Sequence, residues 1–106
     1  MMNESEIGLK LILSYNIDPE VAREYYEFVM GQYVPGLQQM GLEMREAWHT
    51  AYGDYPNRQI GFVSQDRDTM TDVINGDDWD SLNDQLLNFV SEFSYKVVPY
   101  KPTFQF

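Results

Sequence analysis

The order in which hydrophobic periods change along this chain leaves few folds open. An alternating run over 7–15 gives way to a helical period over 18–40, then to two more alternating runs over 43–52 and 58–65. A second helical period covers 68–89, and a last strand-like run covers 95–100. Read as β-α-β-β-α-β, the series predicts a split βαβ arrangement. That is an α+β sandwich with one four-stranded antiparallel sheet and both helical segments on one face. The other sheet face then has no cover from its own chain.

The local signals are specific. Leu9, Leu11, Leu13 and Tyr15 fall on one side of the first strand and are expected beneath helices; Lys10, Ile12, Ser14 and Asn16 fall on the other. Asp18-Pro19-Glu20 starts a helix: Asp18 can cap, Pro19 suits the first position, and Glu20 sits at the positive dipole end. Val21, Ala22, Tyr25, Phe28, Val29, Gln32, Tyr33, Leu37 and Met40 follow a helical period. Pro35 cannot donate to the carbonyl of Gly31, which predicts a kink or break, and Gly41 predicts a left-handed stop. In the second strand, Met44, Glu46, Trp48, Thr50 and Tyr52 are expected on one face and Arg45, Ala47, His49 and Ala51 on the other. Turn formers over 53–58 should join this strand to the next.

Further along, Asp66 or Asp68 should cap a short helix that ends at Asn75-Gly76. Asp77 or Asp78 should cap a second piece, with Trp79, Leu82, Leu86, Phe89, Val90 and Phe93 in helical step. Pro99 and Pro102 mark the end of regular pairing, and the alternating tail 103–106 is expected to pack on something, such as a partner subunit.

Composition narrows the function. The 106 residues, 43% hydrophobic, predict one domain over 1–106. A formal charge of 7 minus 17, or -10, argues against nucleic acid and anionic lipid as partners. With no cysteine there is no disulfide and no thiolate, which fits a reducing compartment. The acidic start lacks a basic region, so no signal peptide is expected. No apolar run approaches the roughly 18 residues of a membrane span, so no membrane partner and a cytoplasmic location are expected. The run Asn75-Gly76-Asp77-Asp78-Trp79-Asp80 lacks the residue order of a calcium loop and reads as helix capping. No phosphate loop, nucleophile triad or metal-ligand set is visible.

The uncovered face is expected to carry Ile12, Ala47 or Trp48, Val63 and Val98 with polar residues between them. An apolar sheet face is normally covered, and a two-fold homodimer would cover this one. Two such sheets, face to face, enclose a barrel-like space. The polar residues among the apolar ones suggest a space not entirely filled.

Glu46-Ala47-Trp48-His49-Thr50-Ala51-Tyr52-Gly53-Asp54 through Asn57-Arg58-Gln59-Ile60-Gly61-Phe62-Val63 resembles the strand pattern of the NIPSNAP-like branch of the dimeric α/β-barrel superfamily. The segment Met70…Trp79…Leu82 and the close Phe93-Ser94-Tyr95-Lys96-Val97-Val98 are similar too. The resemblance covers nearly the whole chain. It implies a ferredoxin-like sandwich that forms a dimeric α/β barrel, and little about chemistry.

The expected function is that of a small homodimer binding a small, mostly apolar molecule in the barrel interior, with no cofactor. Pocket candidates are Asn16, Arg45, Trp48, His49, Tyr52 and Lys96. His49 is the only histidine, hence the one side chain with an ordinary pKa near neutrality. The bland alternative is an interface histidine held by a neighbour. Trp48 could stack on a ligand or fill core, and Tyr52 could wall a pocket or an interface. Arg45 and Lys96 are scarce cations that could hold a carboxylate or instead pair with Glu43 or Glu46. Two further readings stand beside it, the first allowed by the barrel, the lone histidine and the Trp and Tyr content. One is a cofactor-independent monooxygenase or haem-degrading enzyme centred on His49. The other is a structural homodimer without a ligand.

Overall fold

The computed structural model describes residues 8–50, 57–64 and 66–100. Strand β1 is Gly8–Ile17 and ends two residues later than expected because Ile17 continues the buried alternation. Asp18 then accepts a hydrogen bond from the Glu20 N–H at 3.0 Å and opens a 3-10 turn, Pro19–Val21. The helical path continues as α1 (Ala22–Phe28), a π-helical turn (Val29–Tyr33) and α2 (Val34–Gln39). The widened turn lies just ahead of Pro35, and the Val34 N–H reaches back five residues to the Val29 carbonyl. Proline's missing donor is thus absorbed as a change of helical pitch, and the path runs on through Pro35.

At the far end Gly41 adopts φ 104°. Its N–H bonds to the Gln38 carbonyl at 3.0 Å, and the Leu42 N–H bonds to the Leu37 carbonyl at 3.1 Å. This is a Schellman stop, which needs a residue tolerant of positive φ.

Strands β2 (Glu43–Thr50), β3 (Asn57–Ser64) and β4 (Val90–Tyr100) complete one sheet in the order β2-β3-β1-β4, every neighbour antiparallel. Residues 53–56 of the expected turn and the tail 103–106 lie outside the described residues. Pro99 is paired within β4, which a proline tolerates because β4 is an edge strand.

The second helical segment divides as expected into α3 (Arg67–Ile74) and α4 (Asp77–Leu86). Asp66 caps α3, accepting from the Asp68 N–H and the Thr69 hydroxyl, each at 3.0 Å. The cap of α4 is Gly76, so Asp77 and Asp78 stand in its first turn, where they meet the dipole without capping. Helix α4 also ends early. Val90 and Phe93, in helical step by sequence, belong to β4. Val90 already pairs with Ile17, and Phe93 stacks on Tyr15 with ring centroids 6.3 Å apart. Pairing to β1 outweighs the helical spacing there.

A second correction concerns β2. Its register on β3 shifts between Met44 and Glu46. Arg45 is the extra residue of a bulge, and the sides reverse after it. Met44 pairs with Phe62 on the helix-covered face, whereas Glu46, Trp48 and Thr50 pair with Gly61, Gln59 and Asn57 on the open one. The single face expected for Met44, Glu46 and Trp48 is therefore split; Tyr52 lies outside the described residues.

The core lies between sheet and helices. Leu11, Leu13, Tyr15, Ile60 and Phe62 meet Tyr25, Val29, Tyr33, Leu37, Met70 and Leu86, all essentially inaccessible to solvent.

Candidate functional site

The open face of the sheet is organised in cross-strand rows. Lys96, Ile12, Gly61 and Glu46 form one row from β4 to β2; Ser94, Ser14, Gln59 and Trp48 form the next; Val98, Lys10, Val63 and Glu43 form a third. The Lys10 ammonium and the Glu46 carboxylate form an ion pair across β3. Gly61 makes this possible. A Cβ there would stand 2.9 Å from Lys10 Cε and 3.0 Å from Glu46 Cγ. The face thus holds a neutralised pair where a side chain on Gly61 would have separated the partners.

Beside this pair is a depression of about 300 Å³ lined by Ile12, Ser14, Gln59, Ser94, Tyr95 and Lys96. Two small serines, opposite each other in register, form its shallow middle. Trp48 rises from the edge strand in the same row and is 63% exposed. At one end Asn57 donates to Asn16 Oδ1 at 3.0 Å, and Asn16 donates to Glu92 Oε2 at 2.8 Å. Glu92 has φ 53°, at the point where β4 shifts register between Ser14 and Asn16. The bulge turns its carboxylate toward Asn16 at some conformational cost.

Of the sequence candidates, Asn16, Trp48 and Lys96 share this face, and Lys96 lines the depression. Arg45 sits at the bulge, with Nη2 3.5 Å from Glu43 Oε1. His49 pairs in backbone register with Arg58, on the helix-covered side; its side chain, like all of Tyr52, lies outside the described residues. Ser14, Gln59, Ser94 and Glu92 were not singled out by sequence. Alternation alone placed Ser14, and Gln59 beside Val63, on this face, but only the pairing of β1 with β4 brings Ser94 and Glu92 to it.

A second polar cluster lies beneath the sheet. The hydroxyls of Tyr15 and Tyr25 are 2.5 Å apart, and the Arg58 guanidinium carbon is 5.9 Å from the Tyr26 ring centre. Arg58 Nε is buried without a hydrogen-bond partner among the described residues. Burial raises both phenols, Tyr15 well above its ordinary range, and the nearby Arg58 charge works against it. Tyr33, raised by burial as well, donates to Asn83 Oδ1 at 2.7 Å and ties the π-turn to α4. Among the described residues no cluster of acidic or histidine side chains could hold a metal ion, and no helix is long and apolar enough to cross a membrane.

The sheet order and the two helical segments on one face define a ferredoxin-like α+β fold. Within that class the fold is NIPSNAP-like, in line with the sequence resemblance. A NIPSNAP domain protein from Burkholderia xenovorans superposes with TM-score 0.62 at 11% identity, over 85% of this chain and 91% of that one. A candidate antibiotic biosynthesis monooxygenase from Nitrosomonas europaea gives TM-score 0.65 at 10% identity, over 98% and 97%. A hydroxynitrile lyase from Passiflora edulis gives 0.64 at 12%, over 95% and 99%. No family profile matches the chain, and no curated protein matches it in sequence. Identities this low carry the fold and not the chemistry.

Proposed function

We propose that this chain works as a cytoplasmic homodimer whose open sheet faces pack together around a small, mostly apolar molecule. The observation that carries this is the open face itself. It presents Trp48, Ile12 and Val98 and a depression of about 300 Å³ that Ile12 lines, and no described helix covers it. Joining two such faces removes apolar area from water at ~25 cal/mol per Å², against the cost of association. The Lys10–Glu46 pair favours this use, because a charge neutralised in advance is cheaper to bury than a lone one. The depression is at the small end of ligand sites, so the bound molecule is small. The enzymes with this fold are named for chemistry on small molecules, which is in keeping with such a site.

Sedimentation equilibrium tests the assembly. A dimer is expected at low micromolar concentration; a monomer persisting into the millimolar range defeats the reading. A Trp79→Phe variant leaves Trp48 as the reporting tryptophan, whose emission should move to the blue as subunits associate.

One observation favours an enzyme as the second reading. Arg58 carries a buried Nε with no hydrogen-bond partner among the described residues, lies beside two phenols and pairs in register with His49. In this reading His49 removes a proton from a quinol-like substrate, which then reacts directly with dioxygen. Quinol oxidation abolished by His49→Ala and by Arg58→Met would support this reading; oxidation at the uncatalysed rate would remove it.

A further inference from the structure

We propose that the molecule held on the open face carries a carboxylate, received by Lys96 with the Ser14 and Ser94 hydroxyls, and an apolar or aromatic body that crosses Gln59 toward Trp48. The proposal rests on the reading of this face as a ligand site.

The argument is one of charge accounting. The chain has 17 acidic residues against 7 basic ones, so cations are scarce. Lys10 is paired with Glu46, Arg23 with Glu27 and Arg45 with Glu43. Arg58 lies over Tyr26, and Arg67 also has a partner. Lys96 makes no ion pair with a described carboxylate, yet it borders the depression. An ammonium enclosed by a second sheet without a counter-charge is strongly disfavoured.

Among the described residues, a partner subunit could supply that charge only from the same face. Its described carboxylates are already engaged: Glu43 by Arg45, Glu46 by Lys10 and Glu92 by the Asn16 amide. With no described carboxylate left to supply it, the anion is assigned to the bound molecule. One lysine and two hydroxyls match a singly charged, two-oxygen group. A phosphate dianion calls for more donors, as arginine forks or clustered N–H groups supply. Ser14 and Trp48 stand two strands apart, about 10 Å at the usual strand spacing, and Ile12 borders the path. That span suits an aryl or alkyl acid of modest length.

The test uses the full chain and a panel of phenyl- and alkyl-carboxylic acids of graded length, each paired with its neutral amide, titrated by calorimetry. The acids should bind at least about tenfold tighter than their amides. Lys96→Met should erase that preference, and Lys96→Arg should keep most of it. Acids and amides binding equally to a dimer would overturn the carboxylate assignment and leave the ligand site standing. A dimer that binds no member of the panel would overturn both. Loss of dimerisation in Lys96→Met, with an unchanged acid-to-amide ratio, would mean that Lys96 pairs with a partner carboxylate, and the assignment fails.

Discussion

The hydroxyls of Tyr15 on β1 and Tyr25 on α1 stand 2.5 Å apart, with both residues wholly buried beneath the sheet. Their rings meet edge to face at 5.8 Å between centroids. Each hydroxyl offers the other the partner that burial denies it from water. The contact fixes where the first helix crosses the first strand. It also keeps two polar atoms from being stranded in the core.

Removing one hydroxyl leaves the other unsatisfied. Tyr15→Phe and Tyr25→Phe should each cost about 1–3 kcal/mol, and the double variant should cost clearly less than their sum. Urea denaturation of the four proteins gives the coupling. Strictly additive losses would mean that the pair contributes nothing as a pair.

The same burial sets an alkaline limit. Tyr15, Tyr25 and Tyr33 all have folded-state pKa values raised above the ordinary 10.0, chiefly by desolvation. Above pH 10 the unfolded chain loses these protons while the folded chain keeps them, so stability falls as pH rises. Below pH 10 the contribution is fully present. Each tyrosine should add a slope of up to about 1.4 kcal/mol per pH unit in that range. Denaturation midpoints between pH 9 and 12 measure it, and Tyr33→Phe should make the decline shallower. A stability flat to pH 12 would contradict the burial of these phenols.

The two acidic helix starts should differ in weight. Asp66 accepts two hydrogen bonds at the start of α3, so Asp66→Ala should cost about 1 kcal/mol. Asp78 only faces the dipole of α4, so Asp78→Ala should cost no more than about 0.5 kcal/mol. Thermal denaturation of the two variants would reveal a reversed ranking, which would place the cap of α4 on its aspartates.

Trp48 separates folding from assembly. At 63% exposure it adds little to the folded subunit, so Trp48→Glu should change subunit stability by less than about 0.5 kcal/mol. In the proposed dimer the same change puts a charge into the interface and should dissociate it. Sedimentation of the variant beside the parent decides. A Trp48→Glu protein that remains fully dimeric would move the interface off this face.

Much of this was legible in the residues. The alternation of Leu9, Leu11, Leu13 and Tyr15, the Asp18 start, the Gly41 stop and the division at Gly76 all rest on contacts within a few positions of chain. Two features misled. Phe89, Val90 and Phe93 kept a helical spacing that β4 overrode, because pairing with β1 satisfied more of the backbone than another helical turn. Strict alternation through Met44 and Glu46 ignored the extra residue at Arg45. Of the candidate site, Asn16, Trp48 and Lys96 could be named in advance as residues of the open face; whether Trp48 or its neighbours on that strand reach it could not.

The order of elements, the buried side of β1 and the helix boundaries at Asp18 and Gly41 were written in the amino-acid sequence itself, since each depends on short-range periodicity and backbone freedom. The register of β2, the side on which Trp48 emerges and the gathering of Ser14, Gln59, Ser94 and Lys96 were decided only in the assembled sheet. One bulged residue reverses every side chain beyond it, and whether a strand bulges is settled by the hydrogen bonds of its neighbour.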